Sequence, residues 1–394
     1  MSTSLLIAAI TVSTGMGAVI PDEVVKTQDT VFKRYWGKKL VWKFDELPTA
    51  GTVPDYRVPY SGYIYPDTAG GTVYALRKYD QAFNGGRGLA AGHEQWDTTA
   101  YRKPTYQRMG LFRSRVVYST PHWHGHCNGW TAAAIRHAEP KRSVNRNGVV
   151  FSPADIKALL AEIYIYNENE HLAGIDYVIN AGTFHTVITN WLGRGQYPVG
   201  MEADPGKEKW NYPIFGYTTS SSRYNDRLVN VRMTISYAKD SRGEYQQSPR
   251  IEYRKYFNYA LELDAAGDIV GGYFYRGSSI IDLLWVPVRP KQGRKKGNER
   301  GNPHVDVDEV LAIWRASVPA ETRNKWAVID PPKDDRFVKF AGYKALVPVK
   351  NVSDKQTPAV DSGVALAGAE ESESSESGVV TADLEEDDGD SSEE

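Results

Sequence analysis

Between residues 72 and 164 the apolar positions recur every three to four residues, and beyond residue 182 they recur every second one. The change of period predicts helices first and strands afterwards. Thr72 can cap a helix in which Ala75, Leu76, Tyr79, Ala82 and Phe83 share a face, and Asn84-Gly85-Gly86 ends it. Thr131 to Ala138 is a short alanine-rich helix that stops at Glu139-Pro140. Ser152-Pro153-Ala154-Asp155 opens a third, with a cap, a first-turn proline and an acid at the capping-box position, and Ile156, Leu159, Leu160 and Ile163 form its buried stripe.

Period two then predicts a strand over residues 182–191, with His185, Val187, Thr189 and Trp191 on one face. A second strand over 196–204 puts Glu202 and Asp204 on a common face. Val229, Val231, Met233, Ile235 and Tyr237 alternate with polar partners, and Asp264-Ala265-Ala266-Gly267 separates the arms of a hairpin. A last helix covers residues 308–317, with Val310, Leu311, Ile313 and Trp314 inward. Helices followed by antiparallel strands make the fold class α+β.

Composition leaves this picture standing and adds its edges. With 394 residues and 41% hydrophobic content, a large core is affordable in one domain or two. Residues 351–394 carry 14 acidic residues and 1 basic one, which leaves residues 1–350 at +11 despite a net charge of −2. That tail lacks aromatic residues and is expected to be disordered. The organisation expected is an apolar segment 1–25, an extension 26–53, a catalytic domain 54–350 and the acidic tail. The uncharged apolar stretch within it, Ser4 to Ile20, is shorter than the ~20 residues that span a bilayer. It has a signal-like apolar centre without the basic start, so export to the cell surface or beyond is one expectation and a buried N-terminus the other. The basic run from Lys291 to Arg300 reads as an exposed loop, and no nucleic-acid partner is expected from the spread of positive charge.

The candidate chemistry centres on the only cysteine, Cys127, in Gly125-His126-Cys127-Asn128-Gly129-Trp130. It falls at the first turn of the alanine-rich helix, where free N–H groups and the helix dipole favour a thiolate. Gly125 and Gly129 allow close backbone approach. A thiol nucleophile needs a base, an orienting group and oxyanion donors. His185 is the candidate base and Asp204 the candidate orienting acid, with Glu202 as its substitute. The Cys127 N–H would be the oxyanion donor, assisted by the side chain of Trp123 or His126, with Trp123, His126 and Trp130 lining the cleft. His122, His124, His126 and His137 beside the cysteine also suggest a metal set, but no second cluster with ligand spacing accompanies them, and no metal or cofactor is expected. The plain alternatives are a structural thiol and a histidine satisfied within the core.

Gly125-His126-Cys127-Asn128-Gly129-Trp130, Asp155-Ile156-Lys157-Ala158-Leu159-Leu160, Gly182-Thr183-Phe184-His185 and Trp210-Asn211-Tyr212-Pro213, in that order, resemble the transglutaminase elicitor family. Further blocks extend the resemblance over roughly residues 54–287. It implies a papain-like cysteine acyltransferase in which a glutamine side chain acylates Cys127, His185 serves as base and a lysine amine or water takes the acyl group. Calcium dependence is open in such a reading. Tyr212 replaces the glutamine usual between asparagine and proline, in a segment that the family exposes. The alternatives that remain are a thiol protease or deamidase on the same fold, and a non-catalytic, elicitor-like binding module.

Overall fold

A computed structural model describes residues 19–100, 103–108, 114–174, 179–293 and 301–329, all within the unit formed by residues 1–347. The expectations for the first 18 residues, for the acidic tail and for most of the basic run after Lys291 fall outside the described residues.

The chain begins with helix α1 (Asp22–Trp36) and a short strand β1 (Ala50–Thr52). Helices α2 (Val73–Phe83) and α3 (Leu89–Ala100) and the hairpin of β2 (Lys103–Arg108) with β3 (Ser114–Ser119) come next. Then follow α4 (Cys127–Arg136), the paired strands β4 (Val144–Arg146) and β5 (Val149–Phe151), and α5 (Pro153–Tyr164). Strand β6 (Glu168–Ala173) and helix α6 (Ala181–Ile188) lead into β7 (Val199–Glu202), β8 (Asn211–Asn225), β9 (Leu228–Ala238), β10 (Glu252–Leu263), β11 (Ile269–Phe274) and β12 (Leu283–Arg289). Helices α7 (Val307–Ser317) and α8 (Ala320–Ile329) close the described chain.

Eight strands form one antiparallel sheet, in the order β11-β10-β9-β8-β7-β12-β6, with β1 paired to β8. The mixed architecture of helices and antiparallel sheet is therefore as the two periods predict. β9 buries Val229, Val231, Met233 and Ile235, and the β10–β11 turn has Gly267 at φ 85°, with the Asp264 carboxylate accepting from the N–H groups of Ala266 and Asp268. The extension before residue 54 is built into this core: Phe32 and Tyr35 of α1 are fully buried, and β1 adds to the sheet. Each large apolar side chain so buried contributes roughly 1.5–3 kcal/mol.

α5 has the predicted capping box, with Ser152 and Asp155 bonded reciprocally, and its predicted stripe is buried. α4 packs on α5 at one side and on β7, β8 and β12 at the other. Gly129 faces α5 so closely that a Cβ there would lie 2.2 Å from the Ala161 carbonyl oxygen. Only glycine permits that approach.

The strand expected over residues 182–191 is instead α6 followed by a wider helical turn, Thr189–Arg194. Its threonines, valine and isoleucine favour strands, but every residue from Ala181 to Leu192 is buried, so no solvent face imposes alternation. Asn180 caps the helix through its side chain, and Asn190 donates back to the Thr186 carbonyl. The next strand is also shorter than expected: β7 ends at Glu202, which leaves Asp204 beyond the sheet and exposed. Thr72 precedes α2 as predicted, yet its hydroxyl does not cap; it donates to Glu162 instead.

Candidate active site

Cys127 is the first residue of α4, so its backbone N–H lies outside the helix's own ladder and is free to face a ligand. The segment before it is strung along residues 64–67. The His126 N–H donates to the Ile64 carbonyl, the Asp67 N–H donates to the His124 carbonyl, and a Cβ on Gly125 would lie 2.7 Å from the Ile64 oxygen. The glycine is what lets the two strings meet. Asn128 then donates to the Ile165 carbonyl at 2.7 Å, fixing the start of α4 against the end of α5.

The thiol lines a cavity of about 360 Å³, which also touches Trp123, His124, Glu202, Lys209, Asn211 and Trp285. Cys127 itself is 5% exposed, and its Sγ donates to the Lys209 carbonyl at 3.3 Å. Asn211, the first residue of β8, brings its Nδ2 to 3.9 Å from Sγ. The Trp285 indole donates to Asn211 Oδ1 at 2.9 Å. An indole N–H can only donate, so it assigns the amide oxygen and turns the amide N–H groups toward sulfur. Burial pushes the Cys127 thiol up and the Glu202 carboxylate adds to this, against N–H groups of Asn211 and Asn128 that favour the thiolate. The thiolate expected at the helix start is thus disfavoured in the resting site, because desolvation outweighs the dipole.

The charged part of the lining is mostly acidic. Asp67, Glu94, Asp97 and Glu202 all face the cavity, and the Lys209 ammonium is held between Glu202 Oε1 at 2.8 Å and Asp282 Oδ2 at 3.0 Å. Burial pushes the Asp67 and Asp97 carboxyls up.

The other residues singled out in the sequence scatter. His185 lies in α6 with its Nδ1 2.7 Å from the Tyr259 hydroxyl and its ring against Phe44, and it does not line the cavity. Burial alone pushes its pKa down to about 3. Tyr259 pairs across the sheet with Val231 and that with Ser221, ten residues along β8 from Asn211, or roughly 30 Å of strand. Cys127 and His185 therefore lean on different parts of the sheet. Asp204 pairs with Lys255 at 3.4 Å on the surface. Trp123 lines the cavity, whereas Trp130 is 1% exposed and donates to the Tyr60 carbonyl inside the core. His137 bonds the Tyr164 hydroxyl and meets Trp314 edge-on, apart from the other histidines of the supposed metal set. His122 pairs with Glu208.

Two groups at the site escape sequence reasoning. Asn211 lies inside the quoted Trp210-Asn211-Tyr212-Pro213 block, but nothing in the pattern aims it at the thiol. That block is not a surface segment here: Asn211 is 8% and Tyr212 4% exposed. The second group is a buried cluster of Glu94, His126 and Glu162, with His126 Nε2 3.4 Å from Glu94 and 3.2 Å from Glu162. Burial works against the charge on His126, yet the two carboxylates push its pKa up to about 9.

Residues 111–174, which carry Cys127, match the family model described as transglutaminase elicitor. No curated protein sequence matches the chain. Among solved structures, the GP42 transglutaminase from Phytophthora sojae superposes with a TM-score of 0.58 at 22% identity, covering 76% of this chain and 99% of that one. At that identity the likeness is one of fold. The resemblance to the transglutaminase elicitor family, read first from the ordered blocks around Cys127, is thus shown by a family match at the cysteine and a fold shared with a transglutaminase.

Proposed function

We propose that the protein is a transglutaminase-type cysteine acyltransferase with Cys127 as nucleophile. The observation that carries this reading is the Trp285-oriented Asn211 amide facing the thiol at the start of α4. A carboxamide entering the cavity would meet sulfur and two N–H donors together, the Cys127 backbone and Asn211 Nδ2. Sulfur attacks the carboxamide carbon, the oxyanion collapses, the C–N bond breaks and ammonia departs with the thiol proton. An amine then attacks the thioester, gives up its proton and restores the thiol. The carboxylates Asp67, Asp97 and Glu202 suit the approach of a lysine ammonium as acceptor.

The base is proposed to be His124, the cavity-lining imidazole outside the Glu94–His126–Glu162 cluster. His185 with Asp204, the pair assigned from sequence, would need a rearrangement to reach sulfur. Incubating casein with a labelled amine tests both. Cys127→Ala should abolish incorporation, His124→Ala should lower it about 100-fold and His185→Gln should leave it nearly unchanged. Release of ammonia with conversion of casein glutamines to glutamates, and no amine incorporation, would mark a deamidase, and new peptide termini a protease.

One observation favours a second reading, a binding module with a structural thiol: Cys127 is buried and its pKa raised. Slow alkylation by iodoacetamide at neutral pH, with no amine incorporation, would support that reading. Protein substrates with glutamine donors and lysine or amine acceptors, and secretion or display of this chain at the cell surface, are part of the first proposal. No helix among the described residues is long and apolar enough to cross a membrane.

A further inference from the structure

The Glu94–His126–Glu162 cluster packs three ionisable side chains into one buried site. The side chains of His126, Glu94 and Glu162 are 3%, 4% and 3% exposed. With all three groups ionised, two carboxylates and one imidazolium leave a net negative charge in a nearly dry site, and burial together with Glu162 pushes the Glu94 carboxyl up. The single proton on Nε2 can serve one carboxylate at a time. Nδ1 of the same ring is buried without a partner among the described residues, so a charged ring would also strand a charged N–H. With the ring neutral, its Nε2 lone pair forward and both carboxylates ionised, three electron-rich atoms face one another.

The geometry fits a cation. Nε2 of His126 and one carboxylate oxygen from each glutamate lie within 4.8 Å of one another, and the two contacts to the ring are 3.4 and 3.2 Å. Donors about 2.1 Å from a tetrahedral ion are about 3.4 Å apart. A surrounding shell already orients the glutamates. The Thr72 N–H donates to Glu94 Oε1 at 3.1 Å, its hydroxyl donates to Glu162 Oε2 at 2.6 Å, and Asn302 Nδ2 donates to Glu162 Oε1 at 3.0 Å. Such outer bonds are what fix metal-binding carboxylates. Gly71 wraps the group so tightly that a Cβ would fall 2.0 Å from Glu94 Oε1. Glu94 and His126 also line the cavity beside Asp67 and Asp97, which gives an ion an anionic way in.

We propose that Glu94, His126 and Glu162 bind one Zn²⁺, or a transition ion of similar preference, which ties α3, the start of α4 and α5 together beside the cavity. A neutral imidazole, two carboxylates and a dication sum to zero charge. The mixed nitrogen and oxygen donors favour Zn²⁺ over Ca²⁺, which takes oxygen ligands. The ion is structural: it holds the segment that presents Cys127 and has no assigned contact with sulfur.

The test is independent of acyl transfer because it uses the full chain with Cys127→Ala, which removes the competing thiolate. After stripping with EDTA and dialysis, the protein is titrated with Co²⁺ and followed by its visible bands and by metal analysis. One Co²⁺ per chain, displaced by Zn²⁺ and not by Ca²⁺, is the expected result, together with a higher Tm for the Zn²⁺ form. Adding Glu94→Gln should weaken binding at least about 10-fold, and His122→Ala should not change it. Should Glu162→Gln fail to fold, Glu94→Gln still decides, with circular dichroism as its folding control. Absence of saturable one-to-one binding, displacement by Ca²⁺, or unchanged affinity in a folded Glu94→Gln variant would overturn the proposal.

Discussion

His126 and His185 are equally buried, each 2% exposed, and their charges are driven in opposite directions. His126 faces two carboxylates and its pKa rises to about 9; His185 faces a phenol and a phenyl ring and its pKa falls to about 3. Burial sets the stake and the partner decides the sign. The lesson for the catalytic reading is direct. A buried imidazole beside uncharged groups is held neutral, and the base proposed above is the imidazole that lines the cavity.

Activity offers the largest break of this contrast. Cys127→Ala should cut amine incorporation by at least about 1000-fold, while His185→Gln stays within about threefold of the parent. A His185→Gln protein as inactive as Cys127→Ala would return His185 to the chemistry and remove the contrast. Stability sharpens it next. His126→Leu strands two buried carboxylates and should cost about 3–5 kcal/mol by urea denaturation, against about 1–3 kcal/mol for His185→Leu, which strands only the Tyr259 hydroxyl. Equal costs would mean that Glu94 and Glu162 do not matter.

The third effect is acid sensitivity. The folded pKa of His185 is depressed, so its contribution to stability is complete above the unfolded value of about 6.5 and is lost as pH falls toward about 3. Denaturation at stepped pH should show a slope of up to about 1.4 kcal/mol per unit from this group, absent in His185→Gln. Smallest is Tyr259→Phe, which removes one hydrogen bond and should cost about 1 kcal/mol with no change in activity.

How much of this was legible in the sequence depends on whether a residue has a solvent face to report. The α5 capping box, the β9 alternation and the Asp264–Gly267 turn sit where local chemistry and exposure agree, and all three are found. α6 defeats the pattern because burial on all sides erases periodicity and leaves only β-favouring residue types. Cys127 at the start of a helix could be read locally, from the glycines and the alanine run. Its companions could not, since Asn211 and Trp285 arrive from distant strands. Glu162 did leave a trace: a carboxylate between Leu159, Leu160 and Ile163, on a helix face with no room for an unpaired charge. Glu94 left none, because α3 carries no clear stripe.

The bond from the Trp285 indole to Asn211 also sets a clock on synthesis. Asn211 follows Cys127 by 84 residues and Trp285 follows Asn211 by 74. At about 5–20 residues per second, the last interval alone takes roughly 4–15 s on the ribosome. Throughout it the nascent chain carries the Cys127 thiol without the oriented Asn211 amide beside it. Under the proposed acyl transfer, the half-made chain would thereby remain harmless to its neighbours until β12 has joined the sheet.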